Sequence, residues 1–126
     1  MQTNYTKSIP MKRIAVVLLF GLLVISCEKK PKTGDLLITV QYDGFAEENV
    51  EVWLYDSRAS FDNYEYLDKQ LSDANGEVFW AELQPGWYYF EAEITKPVNF
   101  TLYAADSIEV VENMQKNKLL ILAPGS

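Results

Sequence analysis

The side chains able to do chemistry are few, and what is missing narrows the field first. The 126 residues contain no histidine. That removes the usual general base, the usual zinc ligand and any Ser-His or Cys-His nucleophile pair. Cys27 is the single cysteine, so neither an internal disulfide nor a thiolate metal cluster can form. Carboxylates are plentiful: Glu47-Glu48, Glu91 with Glu93, and Glu109 with Glu112 are near enough in sequence to be tested as the acid pair of a glycoside hydrolase. Such a pair needs one carboxyl buried among apolar groups. The alternation of the chain turns most of these acids outward, so no catalytic residue is assigned and the chain is expected not to be an enzyme. Asp73, Asn75 and Glu77 alternate like the first ligands of a calcium loop, but the distal glutamate such a loop needs is missing and a strand begins at once. Asp43, Glu47 and Glu48 form the other oxygen cluster weighed for calcium. No metal site and no cofactor is assigned.

What remains is aromatic. Trp53, Tyr55, Phe79, Trp87 and Tyr89 occupy strand positions opposite those that face the core. Exposed rings in such number suggest a partner surface, for a protein or for a sugar ring stacked on tryptophan; covering by loops or by the last strand is the alternative. A formal net charge of −7 argues against nucleic acid.

Two kinds of segment must position these groups. Ile14 to Ile25 is an uncharged apolar run of twelve residues behind Lys12-Arg13. A bilayer-spanning helix needs ~20 apolar residues, so the run fits the core of a signal peptide. Met11, directly before the two basic residues, is an alternative start to Met1. Val24-Ile25-Ser26-Cys27 resembles the lipobox of bacterial lipoproteins: an aliphatic residue, a tolerant position, a small residue, then cysteine. The resemblance implies cleavage before Cys27, a diacylglyceryl thioether on its sulfur and N-acylation of the new N-terminus. One acyl chain binds membranes only marginally, which is why stable anchoring takes more than one. The expected organisation is a signal peptide over 1–26, a lipidated cysteine and tether over 27–34, and a folded domain over 35–126. The expected location is the cell envelope, on a bacterial membrane, with the outer membrane favoured. Beyond Cys27 the chain holds 18 acidic and 8 basic residues, a net charge of −10, and Lys29, Lys30 and Lys32 sit in the tether beside the lipid.

From Asp35 onward the period of apolar residues is two. Leu36–Val40, Val50/Val52/Leu54, Tyr64–Leu67, Glu77–Leu83, Trp87–Ile94, Phe100–Tyr103, Ile108–Val111 and Leu119–Leu122 read as strands. Residues 57–63 suit a short helical turn. Asn75-Gly76 and Pro85-Gly86 are turn signals. Seven or eight short strands in about 90 residues predict an all-β, antiparallel sandwich.

Ser72-Asp73-Ala74-Asn75-Gly76-Glu77-Val78, followed by Leu83, Pro85-Gly86, Tyr88 and Phe90, resembles the signature of prealbumin-like sandwiches. These include collagen-adhesin B-type repeats, carboxypeptidase regulatory-like domains and transthyretin. The resemblance spans about residues 34–95. It implies that Val78, Trp80, Tyr88, Phe90 and Ala92 face inward, that the Asn75-Gly76 turn closes a hairpin, and that both turns are scaffold. Stalk repeats of this kind often carry a lysine–asparagine isopeptide bond. The first strand, Leu36–Val40, has no lysine and the last as read here, Leu119–Leu122, has no asparagine, so none is expected. Asp106-Ser107-Ile108 resembles a short acceptor for periplasmic O-glycosylation in some Gram-negative bacteria, which makes Ser107 a candidate modification site. The leading functional expectation is a membrane-anchored, non-catalytic adhesion or scaffolding module that binds another envelope protein. The alternative is a glycan-binding module of a polysaccharide-handling system.

Overall fold

The computed structural model describes residues 32–125. The signal segment, Cys27 with its lipidation, and the start of the tether lie outside the described residues. Strict alternation in Leu36, Ile38 and Val40 builds β1 (Gly34–Tyr42) with one face fully buried. The chain then forms β2 (Phe45–Ala46), β3 (Glu51–Tyr55), a one-turn helix α1 (Arg58–Asp62), β4 (Asp68–Leu71), β5 (Glu77–Leu83), β6 (Gly86–Lys96), β7 (Phe100–Val110), β8 (Gln115–Ile121) and β9 (Ala123–Pro124).

These strands make two sheets. In the first, β1 is flanked by β5 and the two-residue β2 on one side and by β8 on the other; the second runs β4-β3-β6-β7-β9. The alternating residues of both fill the space between them: Leu36, Ile38, Val40, Val52, Leu54, Val78, Trp80, Tyr88, Phe90, Ala92, Leu102 and Leu120 are all buried. At 25 cal/mol per Å², fully burying one such aliphatic side chain contributes about 1.5–3 kcal/mol. The two seams of the sandwich are closed by polar contacts. On one side Trp80 Nε1 donates to Asp68 Oδ2 at 2.8 Å, and the Gln70 amide donates to the Phe79 carbonyl at 2.7 Å. On the other, Lys118 Nζ sits 2.8 Å from Asp106 Oδ2. Burial opposes the charge on Asp106, but the Lys118 hydrogen bond, the Ser107 backbone N–H and the Lys118 charge outweigh it and hold the carboxyl below its ordinary value.

The all-β sandwich and its inward residues are as expected, and five details differ. The sheets are not wholly antiparallel: β8 pairs β1 in parallel from Asp35↔Gln115 to Gln41↔Ile121. A parallel neighbour needs a long crossover rather than a tight turn, and a search for tight turns cannot register it. The Asn75-Gly76 turn does not close a hairpin within a sheet. It carries the chain from β4 at the edge of the second sheet to β5 in the first, and Pro85-Gly86 carries it back to β6. Of the turn residues 73–76 only Gly76 is left-handed, at φ +77°, and a Cβ there would lie 2.5 Å from the Val40 carbonyl oxygen. Asp73 Oδ1 accepts from the N–H groups of Asn75 and Glu77, so this carboxylate is used by the turn. Ser72, buried just before it, donates to the Glu47 carbonyl at 2.7 Å and accepts from Val50 N–H at 2.9 Å. That bracket explains why a small hydroxyl residue opens the signature.

Third, Tyr64–Leu67 is a loop, not a strand; pairing starts at Asp68, opposite Leu54. Two alternating tyrosines look like a strand but here face solvent. Fourth, the two short strands read in 100–111 are one eleven-residue strand, β7, paired with β6 along its whole length. Ala104, Ala105, Asp106 and Ser107 interrupt the apolar pattern without interrupting the ladder, because the ladder runs through the backbone. β1 also starts at Gly34, within the stretch read as tether.

Candidate functional site

The outward face of the second sheet carries the concave surface of interest. The register lines up Lys69, Trp53, Glu91 and Ala105 across β4, β3, β6 and β7, and beside them Leu71, Glu51, Glu93 and Tyr103. Because strand side chains alternate, all of these share one face. Helix α1 and the loop after it form a wall on that face. Ser57 caps α1, its Oγ accepting from Ser60 N–H at 3.0 Å. The loop is then held by Glu65 N–H to the Ser60 carbonyl, 2.9 Å, and by Leu67 N–H to the Leu54 carbonyl, 2.6 Å. Tyr64 takes a left-handed φ of +57°, a conformation that costs a non-glycine residue about 1 kcal/mol. The ring is left 77% exposed at the rim.

The result is a groove of about 550 Å³ lined by Trp53, Tyr55, Tyr64, Tyr66, Glu91, Glu93 and Tyr103. A second lobe of about 580 Å³ shares Glu93 and Tyr103 with it and continues over Asn99, Thr101 and Gly125. Glu91 lies in the floor, its two oxygens occupied by phenols. Tyr55 Oη donates to Oε1 at 2.6 Å and Tyr103 Oη to Oε2 at 3.1 Å. Burial, then the hydrogen bond and charge of Glu91, push the Tyr55 phenol well above its ordinary value. Tyr103 is pushed up to about 12 by burial, the Glu91 charge and their hydrogen bond. Both phenols therefore stay neutral donors and hold the carboxylate in one orientation. Lys69 is the cation on the far flank of Trp53, 6.0 Å from its ring centre, and is paired with Glu51 at 3.1 Å. No lysine or arginine lines either lobe.

The five aromatic residues expected to form one exposed surface are divided by the structure. Trp53 is in the groove, half-buried. Tyr55 points to the expected face but is only 2% exposed. Phe61 of α1 packs edge-on against it at 5.2 Å, so its hydroxyl reaches the groove while its ring is interior. Tyr89 is half-buried under the same Phe61, 6.1 Å away. Trp87 is exposed, but it lines a separate depression with Leu67, Pro85 and Tyr88. Phe79 belongs to β5 in the other sheet and cannot join the group. Ser107 is half-buried on β7 opposite Tyr89, with its neighbour Asp106 engaged by Lys118. Of the acids weighed for chemistry, Glu91 and Glu93 enter the groove. Glu47 pairs with Lys96 at 2.6 Å, and no group of three or more metal-ligating side chains occurs among the described residues.

No pattern in the sequence singles out Tyr64, Tyr66 or Tyr103. The first two lay in a stretch read as a strand. Tyr103 is selected by its pairing with Glu93, which no local pattern encodes.

No family model and no curated protein sequence matches the chain. Solved structures do. The major pilin subunit of Bacillus cereus is similar over 75% of this chain and 31% of its own, at 17% identity and a TM-score of 0.56. A DUF3823 family protein from Parabacteroides merdae is similar over 75% of this chain and 48% of its own, at 19% identity and a TM-score of 0.51. A protein from Pseudomonas aeruginosa described as a candidate carbohydrate-binding protein is similar over 71% of this chain and 88% of its own, at 14% identity and a TM-score of 0.53. The chain spans less than half the length of the first two. At these identities the likeness concerns the fold alone, and with the two-sheet topology it shows a β-sandwich.

Proposed function

We propose that the chain is a non-catalytic carbohydrate-binding module, held by lipid on Cys27 to the outer membrane of a bacterial cell. The observation that carries this reading is the two-lobed groove walled by Trp53, Tyr64, Tyr66 and Tyr103. Flat apolar faces match the C–H faces of a pyranose, while Glu91, Glu93, Asn99 and Thr101 offer hydrogen-bond partners to its hydroxyls. A concave, mostly aromatic surface with a few placed polar groups is the common form of a small-molecule site. The two lobes give room for more than one sugar ring. Glu91 is fixed by two phenols and faces an open groove, an arrangement suited to binding and not to the apolar burial that a catalytic acid requires.

The test is a glycan array probed with the full chain in detergent micelles, followed by titration calorimetry on any hit. Tyr66→Ala, at a residue more than half exposed, should weaken binding about tenfold, or ~1.4 kcal/mol, without lowering the thermal midpoint. An array with no saccharide bound would refute the reading. The anchor is tested separately: metabolic labelling with an alkyne fatty acid should tag the wild type, and Cys27→Ser should lose both the tag and membrane retention.

A second reading, a scaffolding module for another envelope protein, is favoured by the outward face of the first sheet. There Leu37, Phe79, Leu119 and Ile121 form an apolar strip across β5, β1 and β8; Phe79, Leu119 and Ile121 are exposed. The two readings separate by variant. Ile121→Glu should break a protein contact and leave saccharide binding unchanged, whereas Tyr66→Ala should do the opposite.

A further inference from the structure

The groove has a sign as well as a shape. Its lining carries two carboxylates, Glu91 and Glu93, and no basic side chain. Two lone-pair directions on Glu91 are taken by Tyr55 and Tyr103, and a carboxylate offers about four. Glu93, two residues along the same face of β6, makes no side-chain hydrogen bond or ion pair among the described residues. Lys69 is engaged by Glu51, the cross-strand partner of Glu93. The rings of Trp53, Tyr64, Tyr66 and Tyr103 line the same groove, and aromatic faces attract cations through their quadrupole. A neutral sugar offers the exposed Glu93 only hydroxyl donors, whereas an ammonium group also offers charge, and a uronic acid would meet repulsion. The net charge of −10 beyond Cys27 would draw a cation toward the surface and slow the approach of an anion.

Resting on the carbohydrate reading above, we propose that the groove selects saccharides bearing a protonated amine, with Glu93 and Glu91 receiving the ammonium group and the aromatic walls flanking it. Glu93 is the outer contact and Glu91 the inner one, oriented by its two phenols. Selectivity between charged and neutral sugars then belongs to Glu93, and affinity for the ring itself to Trp53 and Tyr66.

The experiment compares three probes by calorimetry on the full chain in detergent: glucosamine oligosaccharides with free amines, their N-acetylated counterparts, and oligogalacturonate, all at mildly acidic pH. The free-amine oligomers should bind at least about tenfold more tightly than the N-acetylated ones, and oligogalacturonate should not bind. Glu93→Gln should bring the free-amine and N-acetylated affinities to within about twofold of each other. Glu109→Gln, on the same sheet face but outside the groove, controls for diffuse attraction and should retain the full preference. Equal binding of the charged and neutral oligomers by the wild type would overturn the ammonium assignment and leave the carbohydrate reading intact. Loss of the preference in Glu109→Gln to the same extent as in Glu93→Gln would likewise overturn it. Failure of all three probes, with other saccharides bound on an array, would overturn the assignment alone; failure of every saccharide would overturn both.

Discussion

Replacing Trp80 tests the register on which every assignment of inside and outside depends. Its ring lies on the inward face of β5 at 6% exposure, opposite Leu36 of β1, with Nε1 donating to Asp68 across the seam. A ring of this size buries about 150–250 Å², and truncating one to alanine in a core costs about 3–5 kcal/mol. For a domain of under 100 residues each kcal/mol moves the midpoint by about 4–8 °C. Trp80→Ala should therefore lower the midpoint by roughly 15–30 °C. Trp80→Phe keeps most of the ring and loses mainly the bond to Asp68, which is worth about 1 kcal/mol, so it should fall by only ~5 °C. Trp87→Ala removes a ring that is 55% exposed and should cost under ~1 kcal/mol. Thermal melts followed by far-ultraviolet circular dichroism measure all three without relying on tryptophan emission. A drop in Trp87→Ala as large as that in Trp80→Ala would mean that β5 and β6 present the opposite faces, and the groove assignment would fall with them.

Three further predictions concern the backbone and pH. Gly76→Val should destabilise by at least about 2 kcal/mol in chemical denaturation, because left-handed φ and the close Val40 carbonyl both oppose a branched side chain. Val98→Asn should stabilise by about 1 kcal/mol, since Val98 is a fully exposed β-branched residue at φ +70°; equal midpoints would refute the strain. Tyr55 and Tyr103 have phenol pKa values raised above the ordinary value of 10. Their contribution to stability is complete below pH ~10, where both folded and unfolded phenols are protonated. It is lost as pH rises from there through about 12. Spectrophotometric titration should show three late-ionising phenols, the third being Tyr88, raised by burial and by the Asp56 charge, and the Tyr55→Phe/Tyr103→Phe variant should lose two of them and their part of the alkaline fall.

The sandwich was legible because its signals are local. Alternation at Leu36, Ile38 and Val40, and again at Val52 and Leu54, fixes which face is buried, and Gly76 and Pro85-Gly86 mark the crossings. The parallel β1–β8 pair was not legible, since joining residues 35–41 to 115–121 is a long-range choice. The groove was half legible. Trp53 and Glu91 were visible as outward residues, but nothing local says that they are register partners. Alternation places Tyr55 on the correct face but in the wrong environment: an exposed strand position becomes interior because Phe61, three residues into a one-turn helix, covers it. Tyr64 and Tyr66 were hidden by a period-two pattern that a loop can also show.

The parallel pairing of β1 with β8 has a mechanical consequence. Force applied between the N-terminal side of β1 and the C-terminal side of β8 acts on opposite ends of two strands that point the same way. Once the two-residue β9 has peeled from β7, that force lies along the ladder, and the pairs from Asp35↔Gln115 to Gln41↔Ile121 are loaded together. A ladder pulled this way must shear as a unit, whereas one pulled across its end unzips pair by pair. Tension between the chain ahead of β1 and the chain beyond β8 would thus load this ladder in shear.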